Sequence, residues 1–508
     1  MKRLFITLSV FLLIIGSVCA QSRQVRVTVL HVNDVYQFIP VDGGTRGGLA
    51  RLLTLKKQIK QENPNFLFTF GGDTLSPSVE TRTYQGAQMI EAWNAVGIDY
   101  AVFGNHEFDM KTDVLLQRMK ESRFQWLGAN VFDTRTNKIF AGTPPFVITD
   151  FDGVKIGIIG LLLPETKQTS SMEEFLTVKD FCDAAKEIVP KMRAAGANAV
   201  IGLTHLFMRQ DKELAKCADF DLILGGHEHT LLQSSSNGTP IFKMTADARE
   251  LGRFNLNFDA KTKRLESIDW EIIPVTKKTE NAPEFAAVTD KYKDILQKLA
   301  EPVGSTSVQL DALSFSNRNF ETNIGNYIAD VYRNATNADV ALVNGGSIRA
   351  DLTYNPGVLT KRDVLSILPF YNPVVKIEVS GKILRKALEH GVAMSGGEEN
   401  EPGRFPQVSG MSFVFDAASP SGARITEIKV GGKLLDANKT YTLATSNFLV
   451  SRGGDGYTMF KNAKMLINAE NASKDSELLE NAIRNAPNRT IAPKLENRIV
   501  KTGPKSKG

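Results

Sequence analysis

FDLILGGHEH, residues 220–229, is a short apolar run that ends in two glycines and two histidines. Short runs rich in aliphatic and aromatic residues and bounded by glycine are typical of buried strands. Glycine lets a backbone turn sharply and approach a ligand closely, and imidazole is a common ligand of divalent transition metals. This stretch therefore predicts a buried strand whose carboxyl end carries metal-binding side chains.

Four earlier runs repeat the arrangement. Val25–Leu30 leads to His31-Val32-Asn33-Asp34, Phe66–Phe70 to Gly71-Gly72-Asp73, Tyr100–Phe103 to Gly104-Asn105-His106-Glu107, and Ala199–Leu203 to Thr204-His205. In open α/β sheets, ligands bind outside the carboxyl ends of the strands. The five strand ends together predict one metal centre that includes Asp34, Asp73, Asn105, His205 and His227. His31 is predicted to be structural because it precedes its loop, and Glu107 and Glu228 are predicted to face solvent.

The length, charge and N-terminal sequence of the chain indicate its domain count, its partners and its compartment. A chain of 508 residues is too long for one ordinary core and suits two domains. Lys and Arg total 61 against 56 Asp and Glu, so we expect no nucleic-acid or membrane partner. Lys2 and Arg3 precede a short apolar stretch, Leu4–Val18, which predicts a signal peptide over residues 1–20 and a secreted or periplasmic protein. A lipoprotein anchor at Cys19 is disfavoured because Val18 is bulky, and no later run is long enough to span a membrane.

The pattern along the chain predicts two α/β regions. Strand and helix signals alternate over a first domain, residues 21–275, and again over a second, residues 303–500, which has no metal-ligand pattern. A linker at 276–302 contains one predicted amphipathic helix, Pro283–Ala300, where we place a hinge. Residues 501–508 are predicted to be a disordered tail. Cys182 and Cys217 could pair in an exported protein, and the sequence leaves their pairing open.

The motifs resemble a known family. Asn33-Asp34, Gly71-Gly72-Asp73, Gly104–Asp109 and Gly226–His229 resemble the motifs of calcineurin-like metallophosphoesterases, and the whole chain resembles the 5′-nucleotidase family. The resemblance implies a four-layer αββα sandwich followed by a separate α/β substrate-binding domain. It also implies two divalent ions, which could be Zn, Mn, Co, Fe or Mg.

The resemblance gives each first-domain residue a role. Asp73 would bridge the two metals, Asp34 and His229 would bind one of them, and the other would be bound by Asn105, His205 and His227. His106 would be the catalytic histidine, oriented by Asp109. Charge on its ring would stabilise the transferring phosphoryl group.

One position departs from the family pattern. The family usually has Asp-x-His in its first motif, whereas this chain has Asp34-Val35-Tyr36. Either Tyr36 binds a metal that favours phenolate, or it merely lines a site that has one ligand fewer. Ligand softness favours the second interpretation.

The second domain resembles the family's substrate-binding domain. Arg318 matches an arginine that contacts the substrate, and Asn344 and Arg349 match residues that face ribose and phosphate. A guanidinium fork suits phosphate geometry. Phe370 and Phe448 match the phenylalanines that sandwich the base. The remaining matches are Asn372, Gly403, whose backbone approaches the base, and Asp455, which binds ribose hydroxyls.

These features predict an exported dimetal hydrolase that releases phosphate from nucleoside 5′-monophosphates by attack of a metal-bound hydroxide. The alternatives are hydrolysis of nucleoside diphosphates, UDP-sugars or cyclic nucleotides at the same centre, or a nucleotide-binding protein with reduced catalysis, which Tyr36 motivates. The sequence leaves the oligomeric state open.

Overall fold

The computed structural model describes residues 24–77, 79–396 and 402–503. The predicted signal peptide at 1–20 and most of the predicted tail lie outside these residues. Within the described part of the chain, every helix is too short or too polar to cross a membrane.

The first domain is built on two six-stranded β-sheets. Its strands are β1 (Gln24–Val32), β2 (Phe66–Phe70), β3 (Tyr100–Val102), β4 (Gln125–Leu127), β5 (Val131–Asp133), β6 (Lys138–Ile139), β7 (Phe146–Phe151), β8 (Val154–Leu162), β9 (Leu176–Val178), β10 (Ala199–His205), β11 (Leu222–Gly225), β12 (Leu232–Ser236), β13 (Thr239–Lys243), β14 (Glu250–Asp259) and β15 (Leu265–Pro274). The first sheet has the order β15-β14-β1-β2-β3-β4 and the second the order β12-β13-β11-β10-β8-β7, while β6-β5-β9 form a small third sheet.

The strands that carry the motifs run parallel within each sheet. β1, β2 and β3 are parallel neighbours, and β10 is parallel to β8 and β11. Side chains such as Val27 and Leu203 fill a common apolar layer between the sheets. Because both faces of these strands are buried, their sequences are nearly continuous apolar runs. The carboxyl ends of β1, β2, β3, β10 and β11 therefore meet at one edge.

Helices cover the outer faces of both sheets. They are α1 (Leu49–Glu62), α2 (Thr81–Tyr84), α3 (Ala87–Val96), α4 (Thr112–Glu121), α5 (Thr166–Thr169), α6 (Phe181–Ala194) and α7 (Met208–Cys217), with short 3₁₀ turns at Asn105–Asp109 and Phe140–Gly142. Phe70 of the first sheet packs on Trp93 of α3 with ring centroids 4.7 Å apart. Helix, sheet, sheet and helix form the four-layer αββα sandwich that the family resemblance implied.

A disulfide joins the two helices that flank β10. Cys182 near the start of α6 pairs with Cys217 at the end of α7, with a Cα–Cα distance of 5.5 Å. This pairing answers the question that the sequence left open.

The linker is not the single helix predicted over Pro283–Ala300. It consists of a 3₁₀ turn at Pro283–Phe285 and two short helices, α8 (Ala286–Lys291) and α9 (Lys293–Leu299). Tyr292 separates the two helices and is buried in the core of the first domain, where its hydroxyl donates to Glu91 at 2.8 Å. Most of this segment therefore packs with the first domain, and only Ala300 and Glu301 separate α9 from the second domain, which begins at Pro302.

The second domain is a separate mixed α/β unit. Its strands are β16 (Pro302–Thr306), β17 (Leu310–Asp311), β18 (Val340–Asn344), β19 (Thr353–Tyr354), β20 (Gly357–Thr360), β21 (Val374–Ser380), β22 (Pro406–Ser409), β23 (Met411–Asp416), β24 (Ile425–Val430), β25 (Lys433–Leu434), β26 (Thr440–Ser446), β27 (Lys464–Ile467), β28 (Thr490–Ile491) and β29 (Ile499–Thr502). Its helices are α10 (Ser314–Asn317), α11 (Asn323–Thr336), α12 (Lys361–Ile367), α13 (Gly381–Val392), α14 (Asn447–Ser451) and α15 (Asp475–Arg484), with 3₁₀ turns at Gly345–Ser347, Gly454–Gly456, Thr458–Phe460 and Pro487–Arg489.

The central sheet of the second domain has the order β22-β18-β26-β21-β27. Two apolar clusters, one containing Tyr332 and the other Leu443, form its core. Half of the predicted substrate residues lie at or after the ends of two of its strands, with Asn344 and Arg349 at β18 and Phe448 and Asp455 after β26. Arg318 follows α10, Phe370 and Asn372 follow α12, and Gly403 precedes β22. These segments face the motif edge of the first domain.

Candidate active site

The predicted metal donors of the first domain converge, and their atoms form two groups. In the first group, Asp34 Oδ1 lies 3.4 Å from His229 Nε2, and the Tyr36 hydroxyl lies between them. In the second group, Asn105 Oδ1 lies 3.2 Å from His205 Nε2 and 3.1 Å from His227 Nδ1.

Asp73 Oδ2 belongs to both groups. It lies 3.1 Å from the Tyr36 hydroxyl and 3.3 Å from His205 Nε2. The other oxygen, Asp73 Oδ1, accepts the backbone N–H of His106 at 2.8 Å. One oxygen is therefore held by the protein, and the other is directed to the space between the two groups.

Buried hydrogen bonds orient the other donors in the same way. Asp34 Oδ2 accepts from Asn33 Nδ2 at 2.8 Å and from the backbone N–H of His227 at 2.9 Å, which leaves Oδ1 for the centre. His205 Nδ1 donates to the carbonyl of Gly71 at 2.7 Å, which leaves Nε2 directed to the centre. Such outer hydrogen bonds are typical of metal-ligating side chains, because they fix the tautomer and the orientation of the ring.

The donor set fits divalent cations. Donor atoms of Asp34, Asp73 and His205 lie within 4.8 Å of one another, and all three side chains are buried. Carboxylate, amide and imidazole donors that share a cation at about 2.0–2.2 Å lie about 3.0–3.5 Å apart, which matches the separations in both groups. The residues present are therefore suited to hold two divalent ions.

Three of the candidate ligands have an unusual backbone. Asp34, Asp73 and His227 adopt positive φ angles of 52°, 62° and 84°. Residues other than glycine rarely adopt this region, and such strain persists only where the surrounding structure enforces it. Gly72, with φ 86°, leaves no room for a side chain, because an added Cβ would lie 2.6 Å from the backbone nitrogen of Gly104. The loops are thus held in positions that bring the donors together.

Glu107 does not face solvent as predicted. It is fully buried, and its carboxylate accepts backbone N–H groups of Asp73, Thr74 and Gly104 at 2.9, 2.7 and 2.6 Å. Burial, together with the nearby charge of Asp73, raises the pKa of Glu107 to about 7. The prediction was wrong because the chain folds two loops around this side chain, which the local sequence does not reveal.

Glu228 is also buried, contrary to the prediction. Its carboxylate forms an ion pair with Lys243, which is itself fully buried and pairs with Asp211 at 2.9 Å. Lys243 also donates to the carbonyl of Gly226 at 2.9 Å, and Asp211 accepts from Thr204 at 2.7 Å. This charged cluster supports the segments that carry His205, His227 and His229.

His31 and His106 have different surroundings. His31 is fully buried, and its ring nitrogens lie 3.0 Å from Thr69 Oγ1 and 3.1 Å from the carbonyl of Gly225, so it connects the two sheets. His106 lines a cavity, and its Nδ1 lies 2.7 Å from Asp109 Oδ2. Asp109 also accepts from the Ser76 hydroxyl at 2.9 Å. The imidazole of His106 is thereby oriented with Nε2 left for another partner.

The charges around the centre favour a positive ion. Burial alone would raise the pKa of Asp73, but the charges of His205 and His106 outweigh it and keep the pKa low. Burial would lower the pKa of His205, but Asp73 and Asp34 raise it to about 9. Burial and Asp73 raise the pKa of Tyr36, so without a cation its hydroxyl keeps its proton.

A cavity of about 340 Å³ lies between the two domains. From the first domain it is lined by the candidate metal residues Asp73, Asn105, His227 and His229 and by the pair His106 and Asp109. All eight predicted substrate residues line it from the second domain: Arg318, Asn344, Arg349, Phe370, Asn372, Gly403, Phe448 and Asp455. The volume is in the range of small-molecule sites.

Local contacts shape the second-domain wall. Asp455 accepts from Asn344 Nδ2 at 2.6 Å, and burial raises its pKa. Gly346 and Gly403 are in close contact, since a Cβ on Gly346 would lie 2.9 Å from Gly403 Cα. The ring of Phe370 lies 5.4 Å from that of His106 between centroids.

Three arginines of the second domain contact the first domain. Arg349 Nη2 donates to the Tyr36 hydroxyl at 2.8 Å. Arg362 donates to Gln37 at 2.9 Å and to the buried Glu80 at 2.7 Å. Arg452 donates to the carbonyl of Ser171 at 3.0 Å, and the N–H of Ser171 donates to Asp109 at 3.2 Å. The domains therefore lie against each other around the cavity.

Sequence reasoning missed part of the cavity lining. Ser76, Pro77, Thr81, Met110, Thr169 and Ser171 of the first domain also line it. The segment around Thr169 and Ser171 lies opposite the second domain, where Arg452 contacts it. Ser76, Pro77 and Met110 come just after two of the motifs without being part of them, and Thr81, Thr169 and Ser171 lie away from the motifs. The full lining is evident only once the two domains are paired.

Comparison with known proteins agrees with this architecture. Residues 27–231 match the calcineurin-like phosphoesterase family, and residues 302–462 match the 5′-nucleotidase C-terminal domain. The chain is 30% identical to the trifunctional nucleotide phosphoesterase protein YfkN of Bacillus subtilis over 93% of its own length, and it spans about a third (34%) of that relative. It is 29% identical to the 5′-nucleotidase of Diplobatis ommata, with 94% of this chain and 90% of that protein covered.

A solved structure has the same fold. The 5′-nucleotidase precursor from Thermus thermophilus superposes with a TM-score of 0.87 at 26% sequence identity, covering 95% of this chain and 100% of that one. Both domains, their order and the mixed α/β architecture correspond. The calcineurin-like phosphoesterases use two divalent metals, and the chain is a metal-dependent phosphoesterase that belongs to the 5′-nucleotidase family.

Proposed function

We propose that this protein is an exported hydrolase that releases phosphate from nucleoside 5′-monophosphates. The observation that carries the proposal is the shared cavity: metal donors and His106 line one side, and two arginines, two phenylalanines and Asp455 line the other. Phosphate, base and ribose each have a chemically suited partner there. Export is supported by the basic and apolar start of the chain and by the Cys182–Cys217 disulfide, since such bonds persist in oxidising compartments.

The proposed metal ligands are those of the two donor groups. Asp34 and His229 would hold one ion, the other would be held by Asn105, His205 and His227, and Asp73 would bridge them. Bound there, the ions would supply Lewis-acid activation of water and charge neutralisation at the phosphoryl oxygens. The buried hydrogen bonds to Asp34, Asp73 and His205 hold the donors in place before substrate arrives.

The protein's own groups would position and stabilise the substrate. Arg318 and Arg349 would bind phosphoryl oxygens through their guanidinium forks. His106, held by Asp109 through Nδ1, would donate from Nε2 to the developing charge on the phosphoryl group and its leaving oxygen. Phe370 and Phe448 would stack on the base, and Asp455 would accept hydrogen bonds from ribose hydroxyls.

The test is phosphate release from AMP, ADP, UDP-glucose and a cyclic nucleotide after addition of Mn, Zn, Co or Mg. We expect AMP to be hydrolysed with the highest kcat/KM and Asp73→Asn to lower that value by about 10³-fold or more, because metal stabilisation supplies several kcal/mol and each 1.36 kcal/mol is tenfold. Tight AMP binding without metal-dependent turnover would contradict the proposal and favour a nucleotide-binding protein.

A wider substrate range is the second candidate. It is motivated by the relative described as a trifunctional nucleotide phosphoesterase and by the extra cavity lining from Thr169 and Ser171. Faster release from a diphosphate, a UDP-sugar or a cyclic nucleotide than from AMP would favour this candidate.

A further inference from the structure

The hydroxyl oxygen of Tyr36 lies among the donors of the first group. It is 3.2 Å from Asp34 Oδ1, 3.1 Å from Asp73 Oδ2 and 3.1 Å from His229 Nε2. The side chain is buried, with 7% of its surface exposed. Tyr36 is thus not a distant lining residue, because its oxygen contacts three donor atoms at once.

Hydrogen bonding alone does not account for this position. A phenol has one proton to donate, and Arg349 Nη2 already donates to the oxygen from the second domain at 2.8 Å. Two carboxylate oxygens, of Asp34 and Asp73, therefore compete for one proton. The two carboxylate oxygens and the phenol oxygen face one another in a buried site, where a divalent cation between them would offset their repulsion.

The separations are those of atoms that share an ion. Donors at about 2.0–2.2 Å from a common cation lie about 3.0–3.5 Å apart, and the Tyr36 oxygen keeps such distances to all three neighbours. Asp34 and Asp73 each use their second oxygen to accept N–H groups of the protein. The oxygens that face Tyr36 are therefore the ones left for a metal.

We propose that the Tyr36 hydroxyl oxygen is a ligand of the first metal ion and that Arg349 holds this oxygen from the second domain. This is the first of the two interpretations that the sequence left open for Tyr36. It rests on the dimetal centre of the proposed function and concerns the place of the oxygen among the donors. The contact with Arg349 further implies that a phosphate-binding residue and a metal ligand share a hydrogen bond across the domain interface.

The experiment compares Mn²⁺ binding by metal-stripped wild-type protein, Tyr36→Phe and Tyr100→Phe, measured by titration calorimetry. Tyr100 is the matched control. It begins β3, at the opposite end from the motif edge, and its hydroxyl lies 2.8 Å from Thr149 Oγ1. Wild type and Tyr100→Phe should bind two equivalents. Tyr36→Phe should bind one equivalent as wild type does and the other about 10–100-fold more weakly. Wild-type affinity for both equivalents in Tyr36→Phe would overturn the proposal.

A measurement on the wild-type protein covers the case in which Tyr36→Phe does not fold. In a crystal of the Mn²⁺-loaded protein, anomalous scattering should place one ion about 2.0–2.5 Å from the Tyr36 oxygen. An ion bound to Asp34 but more than about 3 Å from that oxygen would overturn the proposal. Two bound ions without phosphate release from any nucleotide would instead contradict the proposed function and leave the role of Tyr36 intact.

Discussion

The two walls of the cavity are built differently. The metal wall is the first-domain side, with Asp73, Asn105, His227 and His229, and the nucleoside wall is the second-domain side, with Phe370, Phe448 and Asp455. On the metal wall, three of the candidate donors are fixed by other buried groups: Asp73 by the N–H of His106, Asp34 by Asn33, and His205 by the carbonyl of Gly71. On the nucleoside wall, most of the residues come from loops and turns of the second domain, while Asn344 ends β18 and Phe448 lies in α14. There, Asp455 is held by Asn344, while Phe370 contacts a ring of the opposite domain, that of His106.

This difference implies that the first domain determines metal binding and catalysis, whereas the second domain determines which substrate is bound. The metal wall lies at the ends of buried strands, so its geometry depends on the core of the first domain. The cavity is closed only where the nucleoside wall lies against the first domain. Substitutions behind the metal wall should therefore change stability and metal retention, whereas substitutions on the nucleoside wall should change KM.

Lys243→Met gives the largest expected loss of stability. It removes the buried cation between Glu228 and Asp211 and leaves two buried carboxylates without their partner. Breaking a buried ion pair in this way costs about 3–5 kcal/mol. Denaturant unfolding should show this loss, and metal content should fall because Glu228 lies between His227 and His229.

The matched control is Lys57→Met in the same domain. Lys57 pairs with Glu284 at 2.6 Å, but both side chains are about half exposed, at 54% and 48%. Such a surface pair is worth about 0–1 kcal/mol. Equal losses in the two variants would show that the buried cluster does not support the metal wall.

The Cys182–Cys217 disulfide should stabilise the helices on either side of the His205 strand. The chain-entropy estimate for a loop of this length, with 35 residues of separation, is about 3–4 kcal/mol. Cys182→Ser with Cys217→Ser should lower Tm and leave the KM for AMP unchanged, because both cysteines lie outside the cavity lining. A reductant should lower the Tm of the wild type but not that of the double variant, and a reductant-insensitive wild type would contradict the prediction.

On the nucleoside wall, Phe370→Ala and Phe448→Ala should weaken nucleotide binding. Base stacking on an aromatic ring is worth about 1–3 kcal/mol, so the KM for AMP should rise about 5–150-fold. Hydrolysis of a simple alkyl phosphate, which has no base, should change little. Phe315→Ala, at a phenylalanine that is 48% exposed, is the control. A parallel loss on both substrates would mean that these rings act on the metal wall instead.

The sequence predicted the fold of the motif strands well, because fully buried strands have a strong apolar signal. Phe66–Phe70 has the predicted bounds, and β1 and β10 extend only a few residues beyond theirs. The glycine and ligand residues at the strand ends follow from the same pattern. The broken linker was missed because Tyr292 interrupts the helix to reach the first-domain core, and a local periodicity does not contain that tertiary contact.

The supports behind the site could not be predicted. Lys243 ends an ordinary strand, and Glu107 and Glu228 look like solvent-facing acids, yet all three are buried. Their partners lie on other segments of the chain, so only folding brings the charges together. Tertiary contacts likewise hold Asp34, Asp73 and His227 at positive φ angles, a region that Asp and His adopt more often than most residue types.

Asp475 is a buried carboxyl that lies behind the nucleoside wall. Its backbone N–H donates to the carbonyl of Asn372 at 2.9 Å, and its Oδ2 is buried without a hydrogen-bond partner. Burial raises the pKa of Asp475 to about 7. The nearby charge of Lys474 acts in the opposite direction, that of Glu477 acts in the same direction, and the buried Tyr332 also lies within electrostatic range. As the pH rises, the unfolded chain loses the proton of this carboxyl near its ordinary pKa of about 3.9, whereas the folded protein keeps it to a higher pH.

Between about pH 4 and pH 7 the folded state binds more protons than the unfolded state. The contribution of Asp475 to the free energy of unfolding therefore falls over this range and is constant above pH 7. Asp475→Asn, which resembles the neutral acid, should remove this decline, so its stability relative to wild type should rise by up to about 4 kcal/mol from pH 4 to pH 8. Denaturant unfolding at pH 4, 6 and 8 measures the difference, with the exposed Asp436→Asn of the same domain as control. A stability difference that stays the same from pH 4 to pH 8 would contradict the prediction. It would mean that the surroundings of Asp475 already compensate its negative charge, as the surroundings of the carboxylates on the metal wall do.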